Sequence, residues 1–327
     1  MPLLDVRDLR VTYQSARGPV PAVRGVDLTL DAGETLGIAG ESGCGKSTLA
    51  LALLRLLPRT ATITGQILLD GEDVLTMSWG KLRAVRWAGA SIVFQGAMHA
   101  LNPVHRVGRQ IAEPIMLHER VRESEALARA EELLTQVGLP AWRARSYPHE
   151  LSGGQRQRVM IAMALACSPR LIVADEATTA LDVMIQAQVL DLITSLVAER
   201  GIALLMISHD LSILSSTCRR LAVMYAGRVV EMGPAQELFG DPRHPYSGAL
   251  AAAFPKIGDP AARGRPRGLG GDPPDPAAVP SGCAFHPRCP LARPECATTD
   301  VELWPAGPDR VASCVRVLPA GSSREAS

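Results

Sequence analysis

The stretch GESGCGKST, from Gly40 to Thr48, constrains the fold of this 327-residue chain more than any other. It satisfies the pattern G-x-x-x-x-G-K-[S/T] and stands between a strand-like run, TLGIAG, and a leucine-rich helical run, TLALALLRLL. Glycines let such a loop turn so that successive backbone N–H groups converge on a phosphate, and the helix N-terminus adds the positive end of its dipole. The stretch therefore predicts a nucleotide-phosphate cradle built from Gly40, Ser42, Gly43, Cys44, Gly45, Lys46, Ser47 and Thr48.

Two side chains of this loop carry chemistry of their own. Lys46 is predicted to bring its charge to the β- and γ-phosphates, and the Ser47 hydroxyl is predicted to ligate Mg²⁺. The alternative is a glycine-rich turn that only begins a helix. A chance match in a chain of this length is on the order of one in a hundred at average residue frequencies. The strand–loop–helix setting makes the phosphate cradle the better interpretation.

A second motif, LIVADEA, supplies the acidic groups that such a cradle needs. Four apolar residues carry Asp175 to the end of a strand, where it is predicted to help hold Mg²⁺. Glu176 follows and is predicted to polarise the attacking water beside the γ-phosphate. An acidic pair after a strand is more often a solvated turn, but beside a phosphate cradle it predicts a nucleotide-hydrolysing site.

Strand-like and helical runs alternate along residues 1–254. This order predicts an α/β fold of the P-loop NTPase (RecA-like) type, with a mainly parallel sheet and an antiparallel β subdomain near the start. The runs LIVAD and ALLMIS are continuously apolar, as is typical of central strands covered on both faces. The strands then stop, and residues 96–168 are predicted to form an α-helical subdomain. One helix there has apolar side chains at helical spacing and a Gly–Pro end: Leu127, Ala130, Leu134, Val137, then Gly138 and Pro140.

The composition changes after Phe254. Thirteen of the chain's 25 prolines and eight of its 29 glycines lie from Pro255 onward. Such a Pro and Gly content is typical of low-complexity segments. Residues 255–327 are therefore predicted to form an irregular, cysteine-containing C-terminal extension, and residues 1–254 the nucleotide-binding domain.

Bulk properties exclude several classes of protein. The net charge of +1 gives no overall field for nucleic acid or anionic lipid, and the N-terminal MPLLDVRDLRVTY has no signal-peptide core. The longest apolar run, Val159 to Cys167, is far shorter than the roughly 18 residues of a membrane span. Seven cysteines, an odd number, favour thiols or metal ligands over a disulfide framework. We therefore expect a cytosolic chain that does not cross a bilayer by itself.

The stretch LSGGQRQRVMIAMAL, from Leu151 to Leu165, resembles the signature of ABC ATPases. The other motifs of that superfamily are present in the expected order over about residues 3–254. The signature itself lies within residues 96–168, so the helical subdomain is predicted to carry it. The resemblance implies a role for each of these residues: Tyr13 stacks on adenine, Gln95 belongs to the Q-loop, Asp182 forms the D-loop, and His209 is the switch histidine. Gln95 is either a polar strand end or, as its position just before the helical insertion favours, a link between Mg²⁺ and the surface that meets the membrane partner.

The signature residues Ser152, Gly153, Gly154 and Gln155 stand at the start of a helix and form a second anion site. One chain has no evident use for two phosphate sites so far apart in sequence. A head-to-tail pair does, because each signature can cap the ATP held by the other chain's phosphate loop. Within that pair His209, which alone would more often be a core histidine, is predicted to hold the γ-phosphate and the attacking water.

Finer resemblances point to one transport class. The stretches GAMHALNPVHRVGRQIAEP, YPHELSGGQRQRVMIAMALACSP, DEATTALDV and HPYSGAL look like the oligopeptide/dipeptide/nickel class of ABC importer ATPases. That class implies an ATP-hydrolysing subunit, paired with a second and homologous ATPase, that powers uptake of peptides or a related small solute. The implied partners are two membrane permeases and an extracytoplasmic solute-binding protein, and the implied location is peripheral, at the cytoplasmic face of the inner membrane. The chain departs from the class at two positions. Members of the class commonly have Pro where this chain has Ala177, and they usually have a polar or acidic residue near the position of Gly96.

Two other functions stay open at this point. One is a non-transport ABC ATPase that acts on nucleic acid or the ribosome, although the chain has no long coiled-coil insertion, no second cassette and no basic face. The other is a regulatory module with an inactive ATPase, which the presence of Lys46, Glu176 and His209 disfavours.

Four cysteines of the extension, Cys283, Cys289, Cys296 and Cys314, are spaced C-x5-C-x6-C-x17-C. Without a C-x2-C pair, neither a zinc ribbon nor a bacterial ferredoxin motif fits. Either the four pack as small apolar residues beneath a loop, or their thiolates bind a soft metal that orders a segment poor in large apolar side chains. The family resemblance favours a [4Fe-4S] cluster, with His286 as a substitute ligand.

Cys44 carries a separate hypothesis. It lies in the phosphate loop beside Lys46 and at a helix N-terminus, both of which favour a thiolate. We therefore expect alkylation of Cys44 to inactivate the chain and bound ATP to protect it. The alternative is that Cys44 fills a loop position without a role.

Overall fold

The computed structural model describes residues 1–16, 18–94, 100–177, 182–253 and 269–318. The strands are β1 (Leu4–Ser15), β2 (Gly18–Leu30), β3 (Thr35–Ala39), β4 (Ala61–Leu69), β5 (Glu72–Asp73), β6 (Ala90–Val93), β7 (Leu171–Asp175), β8 (Ala203–Ser208), β9 (Arg220–Tyr225), β10 (Arg228–Pro234), β11 (Trp304–Gly307) and β12 (Arg310–Ala312). The helices are α1 (Lys46–Leu53), α2 (Trp79–Ala88), α3 (Val107–Glu119), α4 (Glu123–Gln136), α5 (Gly153–Leu165), α6 (Val183–Arg200), α7 (Leu211–Thr217), α8 (Ala235–Gly240) and α9 (Pro245–Ala253).

The larger sheet has the order β11-β12-β10-β9-β3-β8-β7-β6. Its central strands β9, β3, β8, β7 and β6 run parallel. Successive side chains of a strand point to opposite faces, so a run that is apolar throughout needs a core on both sides. In β8, Leu204 and Met206 join one core cluster, whereas Leu205 and Ile207 join the other. The prediction that the continuous apolar runs form doubly covered central strands is confirmed.

The parallel strands bring their carboxyl ends to one edge of the sheet, which is the usual position of a ligand site in such folds. The phosphate loop follows β3, Asp175 ends β7, and His209 follows β8. The strands β3, β8 and β7 are direct neighbours. Motifs that are distant in sequence, from Gly40 to His209, therefore meet at one edge.

The smaller sheet is antiparallel, with the order β2-β1-β4-β5. Its apolar face, which includes Val11 and Val26, packs in the same cluster as Leu49 of α1. This packing sets the end of β1, with Tyr13, beside the start of α1. The predicted antiparallel strands near the start of the chain are confirmed.

Three helices, α3, α4 and α5, separate β6 from β7 in the described chain. In α4, Ala130 and Leu134 are fully buried, and the helix ends before Gly138, whose φ of 74° is left-handed. The predicted helix and its end are confirmed. The predicted subdomain bounds, 96 and 168, stay a prediction because residues 95–99 lie outside the described part of the chain.

The C-terminal extension is less irregular than predicted. Its strands β11 and β12 extend the larger sheet, since β12 pairs with β10 through Glu231 opposite Ala312 and Met232 opposite Val311. The sequence WPAGPDRVA gave no strand signal because Pro and Gly interrupt it. The predicted boundary between residues 254 and 255 lies outside the described residues.

A buried ion pair fixes β12 to β10. Arg310 Nη2 lies 3.0 Å from Glu231 Oε1, and the two side chains are only 4% and 0% exposed. The Glu231 carboxylate also accepts the backbone N–H groups of Arg243 and His244, each at 2.9 Å. Both oxygens of this carboxylate are thus satisfied although it is buried.

We expect Arg310→Ala to lower the free energy of unfolding by about 3–5 kcal/mol, because it leaves the buried Glu231 carboxylate without its cation. Urea denaturation followed by the fluorescence of the four tryptophans, which include Trp304 on β11, measures the change. The matched control is Arg293→Ala, which removes an arginine that is 52% exposed and should cost less than about 0.5 kcal/mol. A loss below about 1 kcal/mol for Arg310→Ala would contradict the role given to the pair.

Candidate nucleotide-hydrolysing site

The phosphate loop closes around the Lys46 ammonium. Its Nζ donates to the carbonyls of Gly40 and Glu41, at 2.8 and 2.9 Å, and Lys46 is 5% exposed. Gly45 has a φ of 105°, and a Cβ there would lie 2.3 Å from the Ala22 carbonyl oxygen. Only glycine fits that position, so the loop backbone and the Lys46 charge are fixed relative to each other.

The two predicted Mg²⁺ ligands of the loop and of β7 are in contact. The Ser47 hydroxyl donates to Asp175 Oδ1 at 3.1 Å. Burial raises the pKa of the Asp175 carboxyl, while its bond from Ser47 and the Lys46 charge act in the opposite direction. A buried carboxylate with a hydroxyl beside it is an oxygen donor set of the kind that Mg²⁺ prefers, so these residues fit the ion.

Glu176 and His209 face each other at the ends of β7 and β8. His209 Nδ1 lies 3.7 Å from Glu176 Oε1. Glu176 has a left-handed φ of 45°, and its N–H donates to the Ile207 carbonyl at 3.0 Å. A residue other than glycine adopts that φ at a cost in conformational free energy. Such strained residues cluster at functional sites, where the backbone angle orients a side chain. The roles of Glu176 as general base and of His209 in holding the γ-phosphate and the attacking water stay predictions.

Tyr13 meets the phosphate loop from the smaller sheet. Its hydroxyl lies 3.3 Å from Thr48 Oγ1, and the residue is partly buried. An aromatic ring beside the loop is a suitable surface for a nucleotide base. Its stacking on adenine stays a prediction.

The signature lies apart from the phosphate loop on the same chain. Ser152 caps α5, its hydroxyl accepting from Gln155 N–H at 3.3 Å while Gln155 Oε1 accepts from Ser152 N–H at 3.1 Å. A Cβ at Gly154 would lie 2.6 Å from Ile185 Cγ2, so the helix start needs glycine for close packing on α6. The helix α5 packs on β6, which is three strand spacings, roughly 14 Å, from β3. Ser152 is exposed at this position.

Some predicted site residues cannot be placed in this way. Gln95 of the Q-loop, Gly96 and residues 178–181 of the D-loop motif lie outside the described residues. Asp182 is described and exposed, and its Oδ1 accepts from the Ile185 N–H at 3.0 Å as the cap of α6. Its predicted role in the D-loop stays a prediction.

The hypothesis of an activated Cys44 thiolate is wrong. Cys44 is 6% exposed, and burial raises its pKa although Lys46, with Nζ 3.8 Å from the sulfur, acts in the opposite direction. The sequence placed Cys44 at a helix N-terminus but did not show that its side chain points into the core. Desolvation outweighs the nearby charge.

We expect Cys44 to react with iodoacetamide at pH 7.5 at least roughly tenfold more slowly than a thiol introduced by Ser42→Cys, because Ser42 is exposed on the same loop. The labelling of Cys44 should rise steeply as the pH increases, since the thiolate forms only near the raised pKa. Peptide mass spectrometry over time measures both rates in one sample. Equal rates for the two positions would contradict the burial argument.

The four cysteines of the extension gather at one cavity, which Cys283, Cys289, Cys296, Cys314 and His286 line. None of the chain's seven cysteines, all of them described, forms a disulfide, and burial raises the pKa of Cys283 to about 11. The thiol donors suit a soft metal. The cavity holds only about 10 Å³, however, and no three His, Cys, Asp or Glu side chains among the described residues are arranged to hold a metal ion. The described thiol positions form no metal site, and the [4Fe-4S] cluster stays a prediction.

The sequence analysis missed contacts that reach the phosphate loop from the C-terminal segment. Glu41 bonds to Tyr246 and to Arg288. Arg288 is 247 positions away along the chain, and no periodicity or spacing relates the two. The one available signal was the stretch HPYSGAL, which contains Tyr246.

A phosphate loop, an acidic strand end with a facing histidine and a capped signature helix on one chain define an ATP-binding cassette. Family comparisons agree: residues 23–179 match the ABC transporter family, and residues 230–296 match the oligopeptide/dipeptide transporter C-terminal region. The chain belongs to the ABC transporter family, as an ATP-hydrolysing subunit of the oligopeptide type.

Similar proteins extend over nearly the whole chain. A probable peptide ABC transporter ATP-binding protein of Sinorhizobium fredii is 46% identical over 96% of this chain and 95% of its own length. The oligopeptide transport ATP-binding protein OppD of Salmonella typhimurium is 44% identical over 96% of this chain and 93% of its own. Among solved structures, the dimeric ATP-binding cassette MJ0796, in a post-hydrolysis state bound to ADP and Pi, is similar with a TM-score of 0.64 and 28% identity, over 71% of this chain and 98% of that one.

Proposed function

We propose that this chain hydrolyses ATP to drive the uptake of di- or oligopeptides through partner permeases. The observation that carries the proposal is the grouping of Ser47 with Asp175 and of Glu176 with His209, on a chain whose C-terminal region matches that of oligopeptide/dipeptide transporters. The relatives reported above are named for peptide transport, so they give no support to the nucleic-acid or ribosome alternative.

The experiment is uptake of labelled di- and oligopeptides into cells that carry the chain with its neighbouring transport genes. Uptake should stop when Glu176→Gln replaces the unchanged chain and should persist with Glu199→Gln, an exposed control on α6. Peptide uptake that is unaffected by Glu176→Gln, or co-purification with nucleic acid and no permease, would overturn the proposal.

In the proposed mechanism each residue has one task. Lys46 binds the β- and γ-phosphates, and Tyr13 packs on the base. Ser47 and Asp175, with Gln95, would hold Mg²⁺, which supplies charge neutralisation for the transferring phosphoryl group. Glu176 accepts a proton from the attacking water, and His209 holds that water and the γ-phosphate in line.

We propose that the active unit is a head-to-tail pair with a second, homologous ATPase. Support comes from two exposed elements that one chain does not bring together, the signature at Ser152 and the outer side of the phosphate loop at Ser42. The dimeric state of the cassette MJ0796, stated for that protein, is consistent with such a pair. In the pair each signature helix start would cap the ATP on the opposite loop.

We propose that a cytoplasmic segment of a permease docks in the apolar groove between α2, β6 and α5. This groove, of about 290 Å³, is lined by Trp87, Phe94, Met160 and Met163 and lies where the chain continues to Gln95. Phe94 is 37% exposed and adds a large apolar side chain to the lining of this groove. Peripheral attachment at the cytoplasmic face follows from such docking; no helix among the described residues has the length and apolarity to cross a membrane.

We expect Phe94→Ser to reduce co-purification of the permeases at least about tenfold, because it removes an apolar anchor from the groove. The binding of ATP to the purified chain should stay within about twofold. The matched control is Trp142→Ser, which removes a 59% exposed aromatic side chain that does not line the groove. Unchanged permease recovery with Phe94→Ser would count against docking in this groove.

We propose that the cysteine cavity is a soft-ligand metal centre, with a [4Fe-4S] cluster as the occupant that the family resemblance implies. The support is the convergence of Cys283, Cys289, Cys296 and Cys314 on one cavity. Occupancy requires these side chains to move from the packed arrangement described above. Iron and acid-labile sulfide analysis of anaerobically purified protein tests it, and a colourless, iron-free and fully folded sample would leave plain packing as the explanation.

A further inference from the structure

Glu41, the second residue of the phosphate loop, is held at two points by the C-terminal part of the chain. Arg288 forms a two-pronged ion pair with its carboxylate, with Nη1 2.7 Å from Oε2 and Nη2 3.0 Å from Oε1. The backbone N–H of Glu41 donates to the Tyr246 hydroxyl at 2.9 Å. The side chain and the backbone of this loop residue are both fixed from outside the cassette's phosphate-binding motif.

The Arg288 guanidinium is itself held in place. Its Nε donates to the Gly270 carbonyl at 2.9 Å, and its Nη1 also donates to the Tyr225 hydroxyl at 3.3 Å. The side chain is 7% exposed, and its guanidinium carbon lies 5.9 Å from the ring centre of Phe285. A planar guanidinium that is buried and donates four hydrogen bonds is far more rigid than a surface ion pair.

Phe285 anchors the segment that carries Arg288. Its ring packs edge-on to Tyr225 and Tyr246, with centroids 5.3 Å from each, and is 2% exposed. Because Phe285 and Arg288 lie between Cys283 and Cys289, the cysteine-bearing segment is seated directly against the nucleotide site.

A short path leads from Arg288 to the catalytic lysine. Arg288 holds the Glu41 carboxylate, and the Glu41 carbonyl accepts the Lys46 ammonium at 2.9 Å. The extension also meets the loop at a second place, since Pro273–Pro276 and Glu41–Cys44 border one cavity of about 340 Å³. A displacement of Glu41 would therefore move a carbonyl that directly holds the Lys46 ammonium.

We infer that Arg288 is a positioning residue of the ATP site: through Glu41 it fixes the phosphate loop and Lys46, which makes the cysteine-bearing segment part of the ATPase. The loop contacts the phosphates both in bound ATP and in the transition state. A displaced loop therefore binds the ground state and the transition state more weakly by the same amount. Such a loss raises the KM for ATP and changes kcat little. A residue that served only stability would change the amount of folded protein and leave KM constant.

The test compares Arg288→Ala, Arg288→Lys, Glu41→Ala and the double variant Arg288→Ala/Glu41→Ala, each in the full chain within the assembled complex. We expect Arg288→Ala to raise the KM for ATP about tenfold and to change kcat less than about threefold. Arg288→Lys, which keeps the charge and loses the two-pronged geometry, should give an intermediate KM. The double variant should be no worse than the worse single one, because both changes remove the same contact.

The control is Arg293→Ala, in the same segment but 52% exposed, which should leave the KM for ATP unchanged. Should Arg288→Ala fail to fold, Arg288→Lys and Glu41→Gln carry the test, since each keeps the volume of the pair. The inference is overturned when the KM stays constant in folded variants, or when the effects of Arg288→Ala and Glu41→Ala multiply in the double variant.

Discussion

Glu176→Gln lowers ATP turnover by about 10²–10⁴-fold, the range expected when a general base is lost, and leaves ATP affinity within about twofold. Glutamine has the shape of glutamate and keeps the left-handed backbone at this position, but it cannot accept a proton from water. The carboxylate it replaces lies 3.7 Å from His209 Nδ1, at the end of the strand next to that histidine's strand. The loss therefore falls on the chemical step and not on binding.

Steady-state hydrolysis and binding of a fluorescent ATP analogue measure the two quantities separately. The Glu176→Gln subunits should also accumulate as an ATP-bound pair, which size-exclusion chromatography detects. Glu199→Gln, on the exposed face of α6, should change neither quantity. Normal turnover in the Glu176→Gln variant would overturn the assignment of this residue.

Lys46→Ala weakens ATP binding by about 10- to 150-fold, which corresponds to the roughly 1.5–3 kcal/mol of a hydrogen bond to a charged group. The ammonium is held in the loop by the carbonyls of Gly40 and Glu41, so its position is set before ATP arrives. Its removal also takes one hydrogen-bond donor away from each of those two carbonyls. The effect on affinity should exceed that of any exposed lysine.

Calorimetric titration with ATP and Mg²⁺ measures this loss. Lys81→Ala is the matched control, because that side chain is 53% exposed and pairs with Glu72 at the surface. Affinity unchanged by Lys46→Ala would show that the loop does not bind the phosphates as described.

Much of the site follows from sequence because motif and topology act together. A glycine-rich loop after one strand and an acidic pair after another can meet only if the strands are parallel and close, and β3, β8 and β7 are neighbours. The contacts Ser47–Asp175 and Glu176–His209 follow from that arrangement. They were predictable without coordinates.

The rest depends on tertiary contacts that leave no local pattern. The burial of Cys44 depends on how its side chain packs in the core and not on its neighbours in sequence. The strand β12 has three residues and is fixed by the buried pair of Arg310 and Glu231. The Arg288–Glu41 contact joins two polar residues of no distinctive spacing, so only the folded chain reveals it.

The central claim is that the signature of one subunit covers the ATP of the next. A photoreactive benzophenone amino acid in place of Ser152, in a full chain that also carries Glu176→Gln, tests it within the assembled complex with ATP and Mg²⁺. Mass spectrometry of the cross-linked peptides should identify the phosphate loop of the neighbouring ATPase subunit, residues 40–48 if that subunit is a second copy, and only when ATP is present. Cross-links confined to the same chain, or to no ATPase subunit at all, would contradict the account.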